Sequence, residues 1–204
     1  MKFPDFIEQI PSVAVYDPLA AFLGSCEGGF LEYKYEDAIK LTGHSCPTVA
    51  SSYWMTALAL RSLYIDELPM RGGVRVEFLE DRNIGTTGVM AAVVQMLTGA
   101  AGSDGFKGLN GIFFRKDLMS FGVSGVRQVR FIRRDSLSNV YVSVDLSKVS
   151  VQRDLKILLQ KCLNGNASEE EGNLFGQMWQ ERVRRLLLEH GEDPDVFCVI
   201  KGRC

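Results

Sequence analysis

The chain has 204 residues, 46% of them hydrophobic and 24% charged, with a formal net charge of −2. That length can bury a real core, and that composition excludes a disordered chain. The charges are nearly balanced and interspersed, which excludes a basic field for sequence-independent nucleic-acid binding, so no nucleic-acid partner is expected.

The opening stretch MKFPDFIEQIPSV has acids and prolines where a signal peptide needs an unbroken apolar run. The most apolar runs, around residues 53–60 and 88–97, are too short or too polar to span a bilayer. A cytoplasmic protein without a membrane partner is the expectation. Asp17-Pro18 reads as an N-cap and first helical position, opening a short helix that Gly24 ends. FLEYKY, residues 30–35, alternates like a strand, and YEDAIKLTG is a short helix stopped by Gly43. Pro47 starts a helix running to about Tyr64, with Cys46 at its N-cap.

Residues 72–80 form a strand with Val74, Val76 and Phe78 on one face, and residues 86–99 a helix of small residues. IFFRKDLMSFG is expected to be extended, and residues 126–145 are two alternating strands around DSLSN, a hairpin. VQRDLKILLQKCLNG places Leu155, Leu158, Leu159 and Cys162 on one helical face, with Gly165 as its stop. The last helix opens with a Ser168/Glu171 capping box and carries Phe175, Met178, Trp179, Val183, Leu186 and Leu187 as its apolar stripe. VFCVIKG is a final strand. This order predicts an α+β fold: a mixed, mostly antiparallel sheet with helices packed against it. Residues 1–150 form the core, and the helices and strand of 151–204 pack on the same core.

Five cysteines (Cys26, Cys46, Cys162, Cys198 and Cys204) make an odd, scattered set with no C-x-x-C pair, so reduced thiols are expected. Cys198 reads as core and Cys204 as an exposed tail thiol. His44, one of only two histidines, stands one residue from Cys46. In an extended segment both side chains point the same way. A thiol at a helix N-terminus ionises more readily than a free one. Such a pair is half of a metal site, a nucleophile with its base, or a buried cap beside a loop histidine. The glycine-rich TGAAGSDGFKGLNG, with Lys107 inside it, lacks the strand–loop–helix setting of a P-loop, and a mobile connection or dimer contact is expected there. Glu77, Glu80 and Asp81 are read as solvated strand-end acids, and Arg182, Arg184 and Arg185 as the wet side of the last helix. His190 ends that helix, where a cation suits the dipole.

GHSCPTVASSYWM, RVEFLEDRNIGTTGVMAAVVQMLTGAAG, GFKGL and VRFIRRDSLSNVYVSVD, in that order, resemble the FmdE family of formylmethanofuran dehydrogenase proteins over residues 36–145. The resemblance implies an α+β core that holds His44 and Cys46 at a metal site, with the pair as candidate catalytic or cofactor-handling residues. It implies a divalent transition metal, zinc being favoured, and an accessory role in formylmethanofuran dehydrogenase-type one-carbon, molybdoenzyme metabolism. A metalloenzyme partner goes with that role. The chain departs from the family pattern where Ala100 replaces a cysteine after Thr98-Gly99, where Val89 and Ala92 replace a cysteine and an aspartate, and where the C-terminal zinc module is missing. A metal-free thiol enzyme and a non-catalytic interaction protein therefore remain alternatives. A symmetric homodimer is expected, with the glycine-rich loop or the last helix, through Leu174 and Leu188, near the contact.

Overall fold

Asp17 begins the first helix because its carboxylate takes the Leu19 and Ala20 N–H groups at 2.9 and 3.2 Å, and Gly24, at φ 65°, ends it. The computed structural model describes residues 2–202, and Cys204 lies outside them. This helix, α1 (Pro18–Leu23), joins strands β1 (Val13–Tyr16) and β2 (Phe30–Tyr33). The two strands pair antiparallel from Val13↔Tyr33 to Tyr16↔Phe30. α2 (Tyr35–Thr42) stops at Gly43, whose φ of 79° turns the chain out of the helix, and α3 (Pro47–Leu63) starts four residues later.

The main sheet is assembled from β3 (Val74–Phe78), β4 (Met119–Ser120), β5 (Val129–Arg133), β6 (Asn139–Val144) and β7 (Phe197–Lys201), in the order β4-β3-β5-β6-β7. Only β4 runs parallel to its neighbour, β3, so the fold is α+β with a mixed, mostly antiparallel sheet. Val74, Val76 and Phe78 face inward with Val129, Phe131, Val140 and Val142, as their alternation requires. The short β4 is the whole regular strand content of the segment expected to be extended, because a turn at Lys116–Asp117 and positive φ at Phe113 and Asp117 break the rest.

α3 is apolar on nearly every side, and such a helix belongs in the interior. It packs across β6 and β7 and against α4 (Thr87–Thr98). Its hydroxyls do not leave unpaired polar groups there: Ser52 and Thr56 donate to the Thr48 and Ser52 carbonyls at 2.6 and 2.7 Å. The chain then adds α5 (Leu155–Leu163) and α6 (Glu169–Arg184), the latter running into a π-turn over Arg185–Glu189. Trp54 of α3 donates to the Gly191 carbonyl at 2.7 Å and fixes the end of that long helix. The Ser168/Glu171 capping box forms as its residues dictate. His190, just past the π-turn, pairs with Asp193 at 3.0 Å. No helix among the described residues is long and apolar enough to cross a membrane.

Several expected positions change. Leu159 and Cys162 are half-buried while Leu155 and Leu158 are buried, because α5 lies on α6 at the margin of the core. Cys198 is half-buried too, since β7 is the outermost strand of its sheet. Glu77 is not a solvated strand-end acid: it sits inside β3, half-buried, with Arg130 at 2.6 Å, whereas Glu80 and Asp81 are exposed. Arg184 and Arg185 do reach the surface, half-buried and paired with Glu181 and Glu189. Arg182 turns inward instead, its Nε buried without a partner and its pKa lowered by that burial.

Candidate functional site

The three residues His44-Ser45-Cys46 span the gap between the end of α2 and the start of α3, and almost every polar group around them is engaged. Cys46 is the extended N-cap of α3, at φ −148° and ψ 167°, and its Sγ takes the Val49 N–H at 3.5 Å. That bond satisfies one of the four orphan donors of the helix start with a thiol, in place of the usual oxygen. The thiol is half-buried.

His44 is exposed, and its ring is oriented by the chain just before it. Nδ1 lies 2.9 Å from the Thr42 carbonyl, so Nδ1 carries the proton and donates, which leaves the Nε2 lone pair outward. Thr42 Oγ1 returns a bond to the His44 carbonyl at 3.1 Å. An imidazole that donates through one nitrogen to a backbone carbonyl and presents the other is the arrangement found in metal-ligating histidines.

Ser45, between them, is the anchor. Its carbonyl accepts from Trp179 Nε1 and from Gln180 Nε2, both at 3.1 Å, and its hydroxyl lies 3.0 Å from the Tyr35 hydroxyl. Tyr35 has no solvent exposure and packs edge-on to Tyr53, with burial raising the pKa of both phenols. Trp179 leans on Phe175 with ring centroids 5.6 Å apart. The turn is therefore clamped by α2 on one side and α6 on the other. Trp179 and Gln180 are the residues that sequence reasoning missed. Trp179 reads from spacing as part of an apolar stripe, and nothing in that spacing shows that its indole N–H reaches back 134 residues.

His44 and Cys46 are the metal-binding side-chain types that this turn carries, each bonded to the backbone nearest it. Among the described residues no group of three or more histidine, cysteine, aspartate or glutamate side chains is placed to share a metal ion. Ala100, where the family resemblance places a cysteine, is fully buried in the apolar core.

The other positions singled out from sequence stand elsewhere. The glycine-rich loop is tied down by Ala101 N–H to Arg115 O, Arg115 N–H to Phe106 O and Asp117 N–H to Gly102 O, at 2.9, 2.8 and 3.0 Å, so it is an ordered loop and not a loose connection. Gly105 explains part of its composition: a Cβ there would come within 2.8 Å of the Lys116 backbone. Phe175, Met178 and Trp179 are half-buried against their own chain, and Leu188 packs on the core.

A second charged cluster leaves little trace in the sequence. Asp17, 4% exposed, holds Arg71 at 2.7 Å and Arg115 at 2.8 Å while also capping α1. Burial alone would raise its pKa, but the Ala20 N–H and the two guanidinium groups outweigh this and leave it lowered. Arg71 also donates to the Met96 carbonyl at 3.0 Å. In the chain Arg115 stands first of three successive charged residues, Arg115-Lys116-Asp117, and nothing local marks it as the buried one.

The family model described as "FmdE, Molybdenum formylmethanofuran dehydrogenase operon" matches residues 41–193, from the end of α2 to just past the π-turn that ends the last helix. Among solved structures, the chain is similar to a tungsten formylmethanofuran dehydrogenase FmdE-like protein from Syntrophus aciditrophicus. The identity is 16% and the TM-score 0.44, covering 84% of this chain and 73% of that one. No curated protein matches the chain.

Proposed function

The chain belongs to the FmdE family, and from that premise we propose that His44 and Cys46 are two protein ligands of an open site for a divalent transition metal. The carrying observation is the His44 ring: Nδ1 is held by the Thr42 carbonyl on an exposed turn, which leaves Nε2 for a ligand, and the half-buried Cys46 thiol follows two residues on. One imidazole and one thiol suit zinc, and these donors fit two positions of its shell and no more. The remaining positions are then left to water, substrate or a partner chain. A bound zinc ion supplies Lewis acidity at the turn. What the chain contributes is orientation: Tyr35, Trp179 and Gln180 hold Ser45, and Ser45 holds its two neighbours.

The family's operon association supports an accessory role beside a formylmethanofuran dehydrogenase-type metalloenzyme, the partner completing or receiving what the site carries. Against a metal-free thiol enzyme stands the partnering of the two side chains: among the described residues His44 bonds the Thr42 carbonyl and Cys46 the Val49 N–H, with no hydrogen bond between imidazole and thiol.

Elemental analysis of protein purified without chelator tests the proposal. About one divalent metal per chain is expected, lost in His44→Ala and in Cys46→Ser. A metal content unchanged by both substitutions would refute it. Alkylation separates the thiol-enzyme reading: iodoacetamide should modify Cys46 faster after metal removal, whereas a thiol nucleophile would react equally with and without chelator.

A further inference from the structure

We propose that α1 and the hairpin of the glycine-rich loop form the contact surface of a twofold homodimer. α1 is Pro-Leu-Ala-Ala-Phe-Leu, apolar at every position, and none of its six residues is buried. A helix without a polar face is expected inside a protein, not on its outside. Phe22 is 64% exposed and Leu23 61%.

The loop meets this helix. Leu109 and Ile112 exchange both backbone bonds, N–H to O, at 2.9 and 3.0 Å around Asn110 and Gly111. Those two have φ of 48° and 82°, the positive pair that a two-residue hairpin turn needs. The tip presents Ile112, 54% exposed, and Leu109, 39%, with Phe106 at its base, 44%. Phe113 follows at φ 61°, a left-handed conformation that bulky residues rarely adopt, and its ring stands 5.2 Å from that of Phe22. Helix and hairpin therefore make one continuous apolar surface, and a strained residue sits at their junction.

The occupant follows from amount and charge. At about 200 Å² for a large side chain, the five exposed residues present roughly 500 Å². A standard interface takes about 800 Å² from each partner, a little over half of it apolar, so the patch supplies the apolar part of one such interface. It is also at the upper end of what a monomer leaves uncovered. On a twofold axis each side chain meets its own copy or a near neighbour, which favours apolar groups and penalises charges. The five residues that make this patch carry no charge. Lys107 is the one charge between these residues in the loop, exposed between Phe106 and Leu109, whereas Ile157, Leu163 and Leu174 on α5 and α6, another exposed apolar group, stand among Lys156, Lys161 and Glu171. The contact thus falls on the glycine-rich loop and α1, away from the last helix, and it is independent of any metal at His44 and Cys46.

Sedimentation velocity on the full chain at micromolar concentration decides this. The wild type should sediment as a dimer. Phe22→Glu and Ile112→Glu should each weaken association by about tenfold or more, as for interface anchors, while Leu174→Glu leaves it unchanged. Both substitutions fall on exposed side chains, and circular dichroism checks that each variant is folded. Should either misfold, concentration-dependent protection of the Leu109–Ile112 amides from hydrogen exchange in the wild type gives a second readout. A wild-type monomer, a dimer that survives both substitutions, or a dimer dissociated by Leu174→Glu alone would each overturn the proposal.

Discussion

The turn at His44–Cys46 and the cluster at Asp17 both gather polar groups beside a helix start, and they use them in opposite ways. At Asp17 each carboxylate oxygen and both arginine heads are turned on one another, inside the protein, by residues 54 and 98 positions away. At the turn, the engaged groups belong mainly to Ser45 and the backbone, and the exposed ring of His44 keeps a free nitrogen. The denser collection of charge is the one that spends its carboxylate oxygens inside the fold, with Arg71 Nε buried beside them without a partner. Density of ionisable groups therefore says less about function than whether a lone pair remains after the fold has taken its share.

Breaking the Asp17 cluster should have the largest effect. Asp17→Asn leaves two guanidinium groups buried without a counter-ion, and about 3–5 kcal/mol of stability should be lost in a urea or guanidinium titration. A loss under about 1 kcal/mol would show that the arginines reach water and that the two regions do not differ in this way. The same group sets a pH dependence. Its folded pKa is lowered, so its stabilisation is present above the unfolded carboxyl value of about 3.9 and is lost as pH falls below that toward the folded value. The wild type should therefore lose stability more steeply below about pH 4 than Asp17→Asn does, measured as melting temperature against pH.

The turn should respond more mildly. Trp179→Phe removes one hydrogen bond to the Ser45 carbonyl while keeping most of the ring, at about 1 kcal/mol. If α6 positions the two donors, this variant should also retain metal more weakly through dialysis, although residue 179 touches neither His44 nor Cys46 by hydrogen bond. Unchanged retention would mean that the clamp is structural only. Smallest of all, His44→Ala should alter stability by less than about 0.5 kcal/mol, because an exposed side chain bonded only to a local carbonyl carries little of the fold.

How much of this is legible in the chain follows from the range of the interactions. Pro47 after Cys46, Gly43 after Thr42 and the Ser168/Glu171 box announce helix ends because caps are made by residues within a turn of one another. The hairpin of β5 and β6 is legible for the same reason, its strands being joined by a short loop. Glu77 misleads because whether an acid on a strand is wet depends on the neighbouring strand, and Arg130 stands opposite it in register. Cys162 and Cys198 mislead because a helical stripe or a final strand shows which face is apolar, not how much of the core lies against it.

By itself the sequence determined the ends of most helices and the places of β3, β5, β6 and β7 (but not β1 or the shortness of β4), that these elements make an α+β fold, and that His44 and Cys46 lie on a turn opening a buried helix. Those features depend on backbone preferences and side chains a few positions apart. Only the tertiary structure decided that Trp179 and Gln180 grip Ser45, that Asp17 neutralises Arg71 and Arg115, and that Phe22 and Leu23 of α1 stay exposed while the Phe22 ring meets Phe113 just after the Leu109–Ile112 hairpin. Each of these joins segments whose approach is set by packing the core, and packing leaves no periodicity in the chain for a reader to find.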